Sequence, residues 1–234
     1  MGILSAGCEA PAPPKAVSIA NQRFGAMRIA VAPALNQSGA RVFDPVRIAD
    51  LMASELSYVR GVEVIPVSRV LTALSDDQEL VIKSPEHAQA VIERLGADGM
   101  LVFAVTEYEP YDPPIVGLAA QLYRAGERPM DGFDPIAMSR RTIPFESSAP
   151  QAHLSPIAQK STVFDARHDS LLRDVQKFAE NRTGKDSPLG WREYVVDQQA
   201  FVRFCCHETL VGIFGSDLQE HVSQERSVAS GTDG

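Results

Sequence analysis

No stretch of the sequence approaches the roughly 18 to 20 consecutive apolar residues that a membrane-spanning helix requires, which excludes a polytopic membrane protein and leaves peripheral or lipid-based attachment. Cysteine is scarce: Cys8, Cys205 and Cys206 are too few for the framework of a small disulfide-stapled secreted protein. Basic charge is also in deficit. Against 30 aspartates and glutamates stand 22 lysines and arginines, a formal net charge of -8. Attraction to nucleic acid or anionic lipid needs a basic face that displaces counterions, so nucleic acid is not an expected partner, and only a local basic patch escapes the overall sign. A phosphate-cradling loop is missing too. Asn181-Arg-Thr-Gly-Lys185 lacks the upstream glycine and follows no expected strand, and no cofactor is expected. What is present is 234 residues with 44% hydrophobic content, enough for one large domain or for a domain of about 100 to 150 residues with an appendage.

The amino terminus closes on Leu4-Ser5-Ala6-Gly7-Cys8, which resembles a bacterial lipobox, the small-residue site where a diacylglycerol is joined to cysteine before cleavage. Small residues suit a peptidase that threads an extended, unhindered chain. Pro11, Pro13 and Pro14 follow, so residues 1–26 are expected to hold a lipid-attachment site at Cys8 and a flexible tether. The segment departs from the usual pattern in two ways: its leucine lies one position further from the cysteine, and no cationic, long apolar signal segment precedes it. Either an upstream start or an ordinary cysteine accounts for this. The eukaryotic myristoylation pattern is not met, since Ala6 occupies the position that requires serine or threonine.

Met27-Arg-Ile-Ala-Val-Ala-Pro33 is a short apolar run closed by proline, as in a buried strand, and Asn36-Gln-Ser-Gly39 is a turn-rich loop. Asp44-Pro45 supplies an N-cap and a proline at the first helical position. Ile48, Leu51, Met52, Leu56 and Val59 then recur on one face. Gly61 stops that helix and Val62 to Val67 returns as a strand, a crossover suited to a parallel or mixed sheet. Ser68 is placed to cap a short helix from Arg69 to Leu74. Ser84-Pro85-Glu86 opens another, with Ala88, Val91, Ile92 and Leu95 on one side and Gly96 at its end. Met100 to Val105 is apolar on both alternating faces, which marks the most central strand. Pro110 to Pro114 turns the chain, and Ile115 to Tyr123 runs back as the hairpin partner.

This order, with Arg28 to Pro33, Asn36, Val62-Glu-Val-Ile-Pro66, Ser68-Arg69 and Leu95-Gly-Ala-Asp98 leading into Val102 to Glu107, resembles an envelope α/β domain. That domain is shared by the curli-secretion lipoprotein family, the amino-terminal domain of TolB and the lipoprotein activators of peptidoglycan synthases. The likeness covers roughly 100 of the 234 residues, and its motifs are structural, so they speak more for fold than for function. It implies a periplasm-facing protein that binds other envelope proteins or itself, without a cofactor or catalytic residues. The pore of the secretion branch would need extra hairpins of alternating apolar and polar residues. Val116-Gly-Leu-Ala-Ala120 lacks that alternation, so pore formation is not carried over.

Prolines 129, 135, 144, 150 and 156 forbid a long helix between Gly126 and Pro156; Ile136 to Phe145 is expected to give one edge strand, and Arg140-Arg141 to be solvated. Phe164 to Arg182 reads as a helix with Leu171, Leu172, Val175 and Phe178 on one side. Trp191 to Phe214 reads as a second, in which Tyr194, Phe201 and Phe204 widen the apolar stripe of Val195, Val202, Cys206, Leu210 and Ile213. The pair is expected to pack on the sheet, with Phe201 and Phe204 as candidates for an exposed partner-binding face. The tail from Ser216 is polar and is expected to be disordered.

Two constellations invite chemistry. Cys205-Cys206-His207 carries zinc-binding residue types, but adjacent helical residues point about 100° apart and no second Cys/His pair has finger-like spacing, so no metal site is expected. Glu107, Glu109 and Asp112 bracket Tyr108 and Tyr111, where paired carboxylates are able to do acid–base work. Without a histidine placed beside them, acidic loop residues describe them better, and their aromatic and acidic character suits a contact surface.

The expected architecture is therefore α/β (α+β), a mixed sheet with flanking helices followed by a carboxyl-terminal helical hairpin. Its divisions are a tether over 1–26, an α/β module with an irregular extension over 27–160, the hairpin over 161–215 and a tail over 216–234. The expected function is a non-enzymatic envelope lipoprotein, a scaffold or assembly factor on the periplasmic side of a bacterial membrane, with the outer membrane favoured. Its partners would be envelope proteins or itself, met through Glu107, Tyr108, Tyr111, Asp112, Phe201 and Phe204, and the membrane through Cys8. The alternatives are a soluble oligomeric adaptor without lipid and a small hydrolase or transferase built on the acidic hairpin of residues 107–112.

Overall fold

The computed structural model describes residues 18–21, 23–76, 80–126, 155–180, 182 and 187–215. Its elements are β1 (Ile19–Ala20), β2 (Met27–Val31), β3 (Leu35–Asn36), α1 (Pro45–Leu56), β4 (Val59–Arg60), β5 (Val62–Ile65), α2 (Val67–Ser75), α3 (Pro85–Leu95), β6 (Gly99–Glu109), β7 (Ile115–Arg124) and β8 (Ala158–Asp165). After β8 come α4 (Asp169–Glu180), a 3-10 turn (Gly190–Arg192), α5 (Glu193–Val196) and α6 (Gln198–Phe214). The main sheet is mixed, in the order β5-β2-β6-β7-β8, with β3 pairing onto β6. Strands β5, β2 and β6 run parallel, and β7 and β8 continue antiparallel. This is the α/β class expected.

Helices α1 and α3 begin where the sequence supplies acceptors for their free N–H groups. Asp44 Oδ1 accepts from Val46 N at 3.1 Å and Arg47 N at 3.0 Å, and Ser84 Oγ accepts from His87 N at 3.2 Å. Caps of this kind contribute about 1 kcal/mol each. Strand β6 is buried on both faces from Gly99 to Val105. Ile29, Val31, Leu101, Phe103, Val105 and Leu118 pack beneath α1 and α6; Ala30, Ile65, Met100 and Val102 meet α2 and α3 on the opposite face. Burial of a large apolar side chain such as Leu101 contributes about 1.5–3 kcal/mol, so these two layers hold the sheet from both sides.

A bulge alters the hairpin's register. Val105 pairs with Leu118 but Glu107 pairs with Gly117, so Thr106 is the extra residue. Because side chains alternate along a strand, the extra residue turns Tyr108, rather than Glu107, onto the α1 side opposite Val116. Gly117 makes this possible: a Cβ there would collide with Thr106 Oγ1 and lie 3.0 Å from Glu107 N.

Several expectations need correction. Phe164 is on β8, inward-facing opposite Val116, and the helix starts only at Asp169. The 160/161 division therefore cuts a strand. Edge strand β8 occupies the place beside β7, while the segment Ile136 to Phe145 lies outside the described residues. The second helix is interrupted at Asp197, whose extended backbone (ψ 116°) ends α5 and whose carboxylate caps α6 through Ala200 N at 2.7 Å. Ser68 lies inside α2, which opens at Pro66 without a side-chain cap. Ile19 and Ala20, expected within the tether, belong to the fold: they pair in parallel with Val59 and Arg60, and Ile19 is buried. The helices after β8 pack on the module, as expected: α6 lies along α1 and across β7 and β8. Residues 1–17, with Cys8, and residues 216–234 lie outside the description. Among the described residues no helix is long and apolar enough to cross a membrane.

Candidate functional site

The carboxyl ends of the parallel strands, the start of α1 and the start of α6 converge on one end of the molecule. Between them lies a groove of about 330 Å³ lined by Val42, Phe43, Arg47, Leu51, Tyr108, Gln198 and Val202, among others. The Tyr108 ring meets Phe43 edge-on, with centroids 5.9 Å apart and planes at 82°. The Gln198 side-chain amide donates to the Tyr108 hydroxyl, which ties α6 to β6. Burial raises the Tyr108 pKa, while Arg47 and the Gln198 hydrogen bond pull it back. The phenol is therefore neutral at physiological pH, a fixed aromatic wall rather than an acid or base.

The other side of Tyr108 faces a second recess of about 350 Å³, bounded by Glu109, Tyr111, Asp112 and Arg167. Tyr111, on this recess, is 83% exposed, and Val42, on the first groove, is 79% exposed. Arg167 grips Asp165 through paired contacts of 2.8 to 3.1 Å, which hold the Asp165 carboxyl down to about 2. The fields of Glu109 and Glu107 further favour the charged guanidinium. Of the residues expected at a contact surface, Glu107, Tyr108, Tyr111 and Asp112 thus come together at one end. Glu107, Glu109 and Asp112 are all exposed to water.

Phe201 and Phe204 must be corrected. They are 1% and 0% exposed, Phe204 being packed edge-on to Phe164 at 6.0 Å and Phe178 at 5.6 Å, so they form core beneath the groove and not a surface. Helix α6 is covered by α1 on one side and the sheet on another, which leaves no apolar face to expose. Cys205 and Cys206 are both buried, and burial pushes both thiols up, Cys206 further through the Glu55 charge; they are held as neutral hydrophobes. Among the described residues no group of His, Cys, Asp and Glu is arranged to hold a metal ion.

His207 belongs instead to a buried ion cluster. Glu55, 0% exposed on α1, pairs with Arg182 and with Arg203 Nη1 at 3.5 Å, and His207 Nδ1 lies 3.4 Å from its carboxylate and 3.3 Å from Arg182. The Arg182 guanidinium also lies 4.0 Å over the Tyr58 ring and 5.0 Å from Phe178. Val42, Phe43, Arg47 and Gln198, together with this cluster, come from three separate segments, residues 42–55, Arg182 and residues 198–207, so no local sequence pattern joins them. The one signal available was Gln198 beside the capping Asp197, which places it at the exposed start of a helix.

No family model matches the chain, and no curated protein matches it. Among solved structures it is similar to the lipoprotein GNA1162 from Neisseria meningitidis, with 20% identity, a TM-score of 0.40 and coverage of 59% of this chain and 79% of that one. It is also similar to the C-terminal domain of LpoB from Salmonella enterica, with 12% identity, a TM-score of 0.37 and coverage of 45% and 76%. A third likeness is to the hypothetical protein CT253 from Chlamydia trachomatis, with 11% identity, a TM-score of 0.35 and coverage of 86% and 95%.

Proposed function

We propose that this chain is a non-enzymatic envelope lipoprotein, held on the periplasmic side of a bacterial membrane by a lipid on Cys8, that acts as a scaffold or assembly factor through protein contacts. The partner-binding surface is the end that carries Tyr108, Tyr111 and Val42. One observation carries this reading: two large apolar side chains are exposed beside the Phe43–Tyr108 aromatic pair, Val42 at 79% on the groove and Tyr111 at 83% on the recess that shares Tyr108 with it. Rigid aromatics beside polar rim groups are what anchors of protein interfaces are made of. Glu107, Glu109 and Asp112 supply an acidic rim that selects a basic partner and speeds its approach.

The test is photocrosslinking in intact cells from a benzoylphenylalanine placed at position 111, with Glu63 as a control position far from the groove. A discrete crosslinked protein from position 111, lost when Val42→Asp is added, supports the reading. Equal, diffuse crosslinking from both positions would sink it. Lipid attachment is tested separately, by palmitate labelling that disappears with Cys8→Ser.

A further inference from the structure

We infer that the end of the sheet opposite the hairpin is a basic surface that lies against the anionic phospholipid headgroups of the bilayer. The inference rests on the Cys8 anchor for its orientation, but its chemistry stands on the arginines. The amino ends of β2, β5 and β6 and the carboxyl end of β7 meet there, since Met27 pairs with Val62 and Gly99 with Arg124. Arg23, Arg28, Arg60 and Arg124 all belong to this rim. Arg23 and Arg60 are exposed, Arg28 has 44% of its side chain exposed, and Arg124 is half-buried. Arg124 donates to the Phe24 carbonyl at 3.2 Å, and Arg23 lies over the Phe24 ring at 5.3 Å, which draws the two cations around one turn. The acidic groups nearby are Glu63, paired with Arg28 at 3.4 Å, and Asp98, which accepts from Arg28 N at 2.7 Å. Four arginines against these two carboxylates leave a surplus of two positive charges on the rim. In a chain of formal net charge -8, this is the local exception.

The tether joins the fold at the same place. Arg60 Nε donates to Ser18 Oγ at 2.7 Å, so the first described residue sits on the arginine rim. Nine residues separate Cys8 from Ser18. At about 3.5 Å per residue they reach no further than roughly 35 Å, so the anchor joins the fold at this end within about one molecular length, and the arginines set which end faces the headgroups. The hairpin lies at the far end of β6, whose 11 residues span roughly 33 Å. An anchored molecule that turns its arginines to the headgroups therefore presents Tyr111 and Val42 away from its own membrane. Each basic side chain near an anionic surface strengthens partition about fivefold, so the arginines favour this end of the molecule at the headgroups.

The experiment uses the full chain carrying Cys8→Ser, so that lipidation plays no part, sedimented with vesicles of equal parts phosphatidylglycerol and phosphatidylcholine and with vesicles of phosphatidylcholine alone. Binding to the anionic vesicles only, falling with added salt, and falling about 30-fold in the Arg23→Gln, Arg60→Gln double variant supports the inference. Equal partition to both vesicle types overturns it, and so does a double variant that binds like its parent. A full chain that ignores anionic vesicles, for instance because the acidic residues after Gly215 occupy the arginines, overturns it as well. Circular dichroism of the double variant secures that the fold is intact. Because lipidation is read by labelling in cells, failure of the anchor and failure of the basic surface are separate results.

Discussion

Glu55 is the residue whose neutralisation the structure makes most consequential. It is 0% exposed, and it faces Arg182, whose side chain is 9% exposed, His207 at 7% and Arg203 at 37%. Glu55→Gln keeps the shape and removes the charge. Arg203 is able to turn toward water, but Arg182 is pinned over Tyr58 and keeps its charge in the interior. Removing one partner of a buried pair costs about 3–5 kcal/mol, mostly from the uncompensated charge left behind. With a urea m-value of about 2–3 kcal/mol/M, the unfolding midpoint should fall by about 1–2 M at unchanged m. Replacing both Glu55 and Arg182 by methionine removes the stranded charge, so this double variant should regain about 1–3 kcal/mol over Glu55→Gln. Urea unfolding followed by circular dichroism measures both. A Glu55→Gln midpoint that matches wild type, or a double variant no better than the single, would refute the assignment of Glu55 as the hub.

Two further outcomes are expected besides the crosslinking and vesicle results. Gly117→Ala forces a methyl against Thr106 at the bulge and should cost about 1–3 kcal/mol; because the bulge aims Tyr108, the variant should also lose crosslinking from position 111 even under conditions where it is folded, and unchanged crosslinking would count against that link. Glu208 has its pKa raised by burial first, with Asp174 adding and His207 opposing. A raised acid favours its protonated form in the fold, so stability is complete below the unfolded value near 4.3 and is lost as pH rises through the folded value. Glu208→Gln should therefore be the more stable protein at pH 7 and match wild type below about pH 4, as thermal melts across that range would record.

The elements most readable from sequence were those whose cause is local. Asp44-Pro45 and Ser84-Pro85 start helices by capping chemistry alone, and Met100 to Val105 reads as a central strand because it is apolar on both alternating faces. Strand β8 was missed because an edge strand buries one face only, and Gln159, Lys160 and Ser161 are exposed. Phe201 and Phe204 were placed outside because an apolar surface wider than one seam suggests a free face; here α1, α4 and the sheet fill that width. The bulge at Thr106 defeats any reading by alternation, since a period of two carried past Val105 puts Glu107 where Tyr108 actually lies. The ion cluster has no sequence signal at all, because Arg182 stands 127 residues from Glu55 and 25 from His207.

The cluster and the groove are nonetheless one construction. The groove's walls are the first turns of α1 and α6, and its width depends on how α6 is rotated and shifted along α1. Hydrocarbon contacts such as those of Met52 and Val202 tolerate small slips, because dispersion has little directional preference. A carboxylate that receives a guanidinium, a second guanidinium and an imidazole from separate positions does not, since each partner is set at a distance and an angle. Arg203 and His207 lie four residues apart, on one face of α6, so both reach Glu55 in a single register only. That register sets Gln198 against the Tyr108 hydroxyl at the top of the same helix. Loosening the cluster with Glu55→Gln should therefore weaken crosslinking at Tyr111 in the fraction that remains folded, although Glu55 itself is wholly buried and touches no partner.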